Sequence, residues 1–304
     1  MECLLRRSVL GAAAWACFMS TSFAYFADSP RDEPPRYCTV FNHFVKSGGT
    51  SVSLQLAQGS RIAQTRHPDL FIGITRTTPA MRLDTLHNAS VIVGNGEMVR
   101  EPLEAVGRDC EYFIMMRHPI ERMISMFFYC PTDHDVQNRP SKWCGDSVGH
   151  EEPVQDRLID FIQNKWGNRA FRSMQDSVFC NPDSELCDPE HARRVPLRPK
   201  NIDTEEGWLL QDEVKRILST YTAVGIFEEW ELSMRLFDAK VQSPVRLWNE
   251  KFKSNSGSRS GARDELLNWA YTSVEVHTMI AADLLLYDYA LGIFRQQTKD
   301  AQLV

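Results

Sequence analysis

Apolar positions along this chain fall in short uninterrupted runs that alternate with stretches of helical spacing. Tyr37 to Val45 is rich in β-branched and aromatic residues and predicts a strand. It leads into Lys46-Ser47-Gly48-Gly49-Thr50-Ser51 and a helical stretch ending near Gly59. Ala89 to Val93 is a second apolar run, closed by Gly94-Asn95-Gly96. Tyr112 to Met116 is a third, broken by Arg117-His118-Pro119. Past the break, Ile120, Met123, Ile124 and Phe127 recur at i, i+3, i+4 and i+7, which predicts a helix with that face on a core. Glu121, Arg122 and Ser125 then share the other face.

The pattern fades from Cys130 to about Thr204, a polar stretch with a helix expected only around Pro153 to Lys165. Thr222 to Phe227 predicts a strand and Glu228 to Lys240 a helix. A Ser/Gly/Asn-rich loop follows from Lys253 to Gly261. Two helical segments close the chain, the last with Ile280, Leu284, Tyr287, Leu291 and Phe294 on one face. Strands alternating with helices predict an α/β fold, a central parallel sheet flanked by helices on both faces. Such sheets take ligands at the carboxyl ends of their strands.

The N-terminus adds a different signal. Arg6 and Arg7 precede Ser8 to Ala27, which carries no charge before Asp28. As a helix rising about 1.5 Å per residue, this segment just crosses a hydrocarbon core of about 30 Å. Residues 1–27 therefore read as a signal-anchor, with the arginines keeping the N-terminus cytosolic and the body in the lumen. A cleaved signal peptide ending near Ser22-Phe23-Ala24, or a buried helix, are the other readings. The charged, Pro-rich residues 28–36 read as a stem.

Composition narrows the class further. With 304 residues, 43% hydrophobic and 24% charged, the chain is neither disordered nor too small to build its own core. Its net charge of −6 argues against a nucleic-acid partner and requires any bound anion to be held by a local pocket. Six cysteines follow the leader, an even number that favours disulfides in a secretory chain. Cys130 with Cys144 and Cys180 with Cys187 are expected to pair locally. Cys38 and Cys110 each precede a predicted strand and pair if those strands are neighbours. A zinc site is the alternative, although no CxxC pair is present. The sequon Asn88-Ala89-Ser90 abuts a predicted strand.

Two constellations carry candidate chemistry. In the first, a strand runs into Lys46-Ser47-Gly48-Gly49-Thr50-Ser51 and then a helix. Glycines admit an anion close to backbone N–H groups, the helix start adds free N–H donors, and Lys46 supplies charge. This is a P-loop-like arrangement, but not the Walker A pattern, because the lysine precedes the glycines. A plain Gly-Gly turn beside a solvated lysine is the other reading. In the second, Arg117 ends a strand, Pro119 suits a first helical position, and Ser125 lies on the polar face of that helix. Arginine at such a junction suits bidentate phosphate binding, unless it serves only as a structural partner of Glu121.

Taken together, the two stretches resemble a known family. Phe44-Val45-Lys46-Ser47-Gly48-Gly49-Thr50-Ser51 is similar to the 5′-phosphosulfate loop of the membrane-anchored Golgi carbohydrate sulfotransferases. Tyr112 to Ser125, with Arg117-His118-Pro119-Ile120-Glu121-Arg122 at its centre, is similar to their 3′-phosphate motif. Val224 to Glu229 and the closing helix from Asp283 to Phe294 resemble the family more weakly, in the same order.

The resemblance implies a sulfotransferase domain over residues 37–297, with a polar insert at about 130–204 and a tail at 298–304. It implies a Golgi membrane protein with a lumenal body, or a secreted one, which moves a sulfuryl group from 3′-phosphoadenylyl sulfate (PAPS) to a hydroxyl of a glycan or glycoconjugate. Lys46 and the loop residues Ser47, Gly48, Gly49, Thr50 and Ser51 would hold the 5′-phosphosulfate, and Arg117 and Ser125 the 3′-phosphate. No metal is implied. Val45 stands where the family usually has proline, and Asn95 where many relatives carry a histidine base. Asparagine cannot take a proton at neutral pH, which leaves Glu97 or His87 as the base. A nucleotide-binding lumenal protein without catalysis, and a P-loop kinase-like phosphotransferase, are the alternatives. Arg193, Arg194, Arg198 and Lys200 in the insert read either as an anionic-polysaccharide contact or as a solvated run balanced by upstream acids.

Overall fold

The computed structural model describes residues 38–44, 46–66, 74–76, 89–94, 100, 103–104, 107–128, 153–163, 212, 214–242 and 261–304. Five strands form one all-parallel sheet: β1 (Thr39–Asn42), β2 (Ile74–Arg76), β3 (Val91–Gly94), β4 (Glu111–Met116) and β5 (Ala223–Ile226), in the spatial order β2-β3-β1-β4-β5. The helices are α1 (Gly49–Arg66), α2 (Pro119–Phe127), α3 (Val154–Phe161), α4 (Trp230–Lys240), α5 (Gly261–Thr272), α6 (Val274–Met279) and α7 (Ala281–Asp300). A 3-10 turn, Phe227–Glu229, joins β5 to α4.

The absence of alternation in the apolar runs has a direct structural cause. Every residue of β1 and β5 is buried, as are Phe113 to Met116 of β4 and Val91 to Val93 of β3. Successive strand residues point to opposite faces, so both faces of the sheet are covered, as parallel sheets require. The outer edge of β5 is closed by side chains. The Val224 N–H donates to Gln297 Oε1 of α7 at 2.8 Å, and the Ile226 N–H to Ser233 Oγ of α4 at 2.7 Å. These bonds occupy ladder groups that would otherwise be left open.

A disulfide joins Cys38 to Cys110 at the amino ends of β1 and β4, which are neighbours, as the pairing expected from their positions before strands requires. The four cysteines between residues 130 and 187 lie outside the described residues.

A second apolar cluster lies beside the sheet core. It is built from Ile120, Met123, Ile124 and Met126 of α2, Leu158 and Phe161 of α3, Leu266 and Ala270 of α5, and Val276 of α6. At the seam between the two clusters, Arg122 of α2 forms a buried ion pair with Asp283 of α7. Helical spacing placed Arg122 with Glu121 and Ser125 on a polar face; instead it turns inward, because a carboxylate far along the chain meets it there.

Other boundaries also differ from the sequence reading. Helix α1 continues through Gly59 to Arg66, since one interior glycine costs a helix only about 1 kcal/mol. Strand β2 was not foreseen, and with three residues it is too short to carry a period. Three helices rather than two close the chain, because Ser273 caps α6 by accepting the Val276 N–H at 3.3 Å. Among the described residues no helix is long and apolar enough to cross a membrane. The leader and stem lie outside those residues.

Candidate anion site

The site follows from the strand order. From β1 the chain leaves toward β2 and β3, and from β4 it continues to β5 on the other side. Neighbouring parallel strands whose connections diverge leave a crevice at their carboxyl ends. Lys46 and Arg117 stand at the carboxyl ends of β1 and β4.

The loop after β1 is tightly turned. Lys46 has φ of 65° and Gly48 φ of 77°, both left-handed. The Ser47 N–H donates to Phe44 O at 3.3 Å, while the Ser51 and Val52 N–H groups both reach Gly48 O, at 2.9 and 3.2 Å. A Cβ on Gly48 would lie 2.7 Å from the Phe227 ring, and one on Gly49 would overlap the His43 ring. Both positions therefore demand glycine, the first through conformation and space, the second through space alone.

Arg117 is held on three sides. Its Nη1 donates to Lys46 O at 3.2 Å and its Nη2 to Glu121 Oε2 at 3.1 Å. Its guanidinium carbon lies 4.6 Å over the Phe227 ring. Arg117 Nε remains buried without a hydrogen-bond partner, and so does Ser47 Oγ. Two orphaned donor-capable groups beside one lysine are costly in a folded chain unless a ligand supplies acceptors. Ser125 is half-buried one turn beyond Glu121. Ser53 and Ser60 in α1 bond back to carbonyls four residues earlier, at 2.6 and 2.7 Å.

The local field is strongly positive on the loop side. Burial lowers the Lys46 pKa, and the charges of Arg117 and then Arg263 lower it further. Arg263 lies in the first turn of α5, where the helix dipole is already positive, so it adds a third cation to the same region. Burial likewise lowers the Arg117 pKa, opposed by Glu121 and Glu228. A guanidinium stays charged under any such shift.

Glu228 organises the other side. Its Oε1 accepts the His118 backbone N–H at 2.9 Å, and its Oε2 accepts Tyr287 Oη at 3.0 Å. The turn after β5 is thus fastened both to the start of α2 and to α7. The His118 ring packs between Tyr271 and Tyr287, with centroids 5.1 and 5.2 Å away.

Of the residues selected from sequence, Lys46, Ser47, Gly48, Gly49, Ser51 and Arg117 converge at this crevice, and Thr50 lies within the first turn of α1. Ser125 projects from the helix that Arg117 precedes. Glu97 and His87, the two candidate bases, and Asn95 lie outside the described residues, as do Val45 and most of the insert. Sequence reading did not select Phe227, Glu228, His118, Tyr271 or Arg263. The legible signals among them were an apolar strand ending in Phe-Glu-Glu and the place of His118 between Arg117 and Pro119. No protein-family model matches the chain, and a search of curated proteins returns no match.

Proposed function

We propose that the chain is a PAPS-dependent sulfotransferase acting on a hydroxyl of a glycan or glycoconjugate in the secretory lumen. The strand–loop–helix at Lys46 to Ser51 then serves as a P-loop-like cradle for the 5′-phosphosulfate, and Arg117 with Ser125 for the 3′-phosphate. The observation that carries the reading is the Arg117–Lys46 contact: two motifs far apart in sequence meet at one strand switch point. The orphaned Ser47 Oγ and Arg117 Nε fit an acceptor-rich anion, and the convergence of Lys46, Arg117 and Arg263 gives it a compensating charge.

Transfer breaks the bond between sulfur and the bridging phosphate oxygen and forms one between sulfur and the acceptor oxygen, whose proton passes to a base. Negative charge grows on the departing phosphate. The Lys46 ammonium stabilises that charge more in the transition state than before it, and so does the positive end of α1. A second reading, nucleotide binding without transfer, is favoured by Asn95, which cannot act as a base.

Calorimetry with adenosine 3′,5′-bisphosphate tests the nucleotide site, and transfer of labelled sulfate from PAPS to a glycan panel tests the reaction. Binding with transfer is expected. Binding without transfer selects the second reading, and no binding removes both.

A further inference from the structure

We infer that Phe227 is a positioning residue of the anion site, its ring holding the Arg117 guanidinium where a phosphate meets it. The inference rests on the nucleotide reading above and names what sets the geometry of the 3′-phosphate arm.

Strand register brings the two residues together. Met116 of β4 pairs with Ile226 of β5, so Arg117 and Phe227, the next residue of each strand, leave the sheet side by side. The Arg117 guanidinium carbon lies 4.6 Å from the centre of the Phe227 ring. The edge of that ring faces the loop after β1. Its Cδ2 and Cε2 atoms lie 2.7 and 2.8 Å from where a Gly48 Cβ would stand. One half-buried ring thus touches both motifs, beside the bond that Arg117 makes to Lys46 O.

The ring is itself held on several sides. Before it in sequence lies β5, bonded in register to β4. After it, Glu228 accepts the His118 backbone N–H at 2.9 Å and the Tyr287 hydroxyl at 3.0 Å. Trp230 packs edge-on against the ring, with centroids 5.8 Å apart and planes at 72°. Phe227 is therefore a fixed support rather than a side chain that follows the arginine.

An aromatic ring suits this place for a chemical reason. It attracts a cation through its quadrupole and accepts no strong hydrogen bond, so it locates the guanidinium without occupying the donors. Arg117 Nη1 and Nη2 are bonded within the protein, while Nε is buried without a partner. A carboxylate in place of the ring would take that Nε N–H and neutralise the charge an incoming phosphate needs. Without the ring, the ordering of a long, flexible side chain would have to accompany ligand binding itself.

The test is calorimetry of the full chain with adenosine 3′,5′-bisphosphate and with adenosine 5′-phosphate, whose affinity ratio reports the 3′-phosphate arm. Phe227→Leu keeps an apolar contact for Gly48 and loses the attraction to the cation. It should reduce that ratio about tenfold, the effect of ordering one flexible side chain on binding. A phenylalanine trifluorinated on its ring, placed at position 227, keeps the shape and weakens the attraction. It should reduce the ratio about threefold. A role in core packing alone would lower the urea midpoint of Phe227→Leu and leave the fluorinated protein's ratio unchanged. That unchanged ratio overturns the inference and leaves the nucleotide reading standing. Equal losses of both ligands also overturn it, because the ring then serves the Lys46 loop rather than Arg117. Should Phe227→Leu fail to fold, the fluorinated protein alone decides. If the natural protein does not bind the bisphosphate, or does not prefer it, the nucleotide reading falls together with the inference.

Discussion

Arg117 Nη1 donates to the carbonyl oxygen of Lys46 across the carboxyl ends of β1 and β4, at 3.2 Å. The guanidinium thus braces the loop with one nitrogen while another bonds Glu121. A primary ammonium cannot reproduce that fork. Arg117→Lys should weaken binding of adenosine 3′,5′-bisphosphate about 10- to 100-fold, the range for a charged hydrogen bond of about 1.5–3 kcal/mol. Binding of adenosine 5′-phosphate should change far less. Calorimetry with both ligands checks this, and equal losses would make Arg117 a strut for the loop alone.

The bracing acts on a strained residue. Lys46 has φ of 65°, a conformation costing a residue with a side chain about 1 kcal/mol or more relative to glycine. Lys46→Gly should therefore be at least as stable toward urea as Lys46→Ala, by about 1 kcal/mol, while both lose nucleotide affinity. Strain retained at a position that glycine would relieve is what a functional side chain produces. A glycine variant less stable than the alanine variant would refute this account.

Lys46 also sits among like charges. Burial, then Arg117 and Arg263, hold its pKa below the ordinary lysine value of 10.5. A lowered lysine pKa means that charge, and the anion affinity depending on it, fades as pH rises through that lower value. The natural protein should lose bisphosphate affinity at a lower pH than an ordinary lysine would dictate. Arg263→Ala removes one repelling charge, so its affinity should be weaker at pH 7.5 but persist to higher pH. Titration of affinity between pH 7.5 and 10 separates the two curves. Coincident profiles would place Arg263 outside the field of the site.

These residues show what local sequence conveys. Strands β1, β3, β4 and β5 were legible because burial on both faces leaves uninterrupted apolar runs, and the Lys46 and Arg117 motifs because each lies within one strand-to-helix junction. The Cys38–Cys110 bridge was legible as a condition on strand adjacency. Contacts made across the fold were not. Phe227 both stacks on Arg117 and presses on Gly48, yet nothing near it in sequence points to either. Arg263 reaches the site only because α5 packs beside α2. Arg122 was placed on the wrong side of its helix because its partner lies 161 residues away.

That partner gives the last prediction. Arg122 and Asp283 are both nearly inaccessible to water, with side chains 4% and 2% exposed, and their ion pair fixes α2 against α7. Removing one member leaves the other charge buried beside the apolar residues of the two clusters, at a cost of about 3–5 kcal/mol. Removing both eliminates the charges together, and apolar replacements of similar volume are often close to neutral. Arg122→Met and Asp283→Leu should each lower the urea midpoint sharply, and the double variant should recover most of the loss. A double-mutant cycle then yields a coupling well above the roughly 0.5 kcal/mol scatter of independent sites. Additive losses would mean that each residue is held by other contacts. Because α2 carries Ser125 and follows Arg117, the stable double variant also reveals whether this pair aligns the site. If it does, bisphosphate affinity should stay low even where stability returns, since an apolar contact fixes the helix angle less sharply than a directed ion pair.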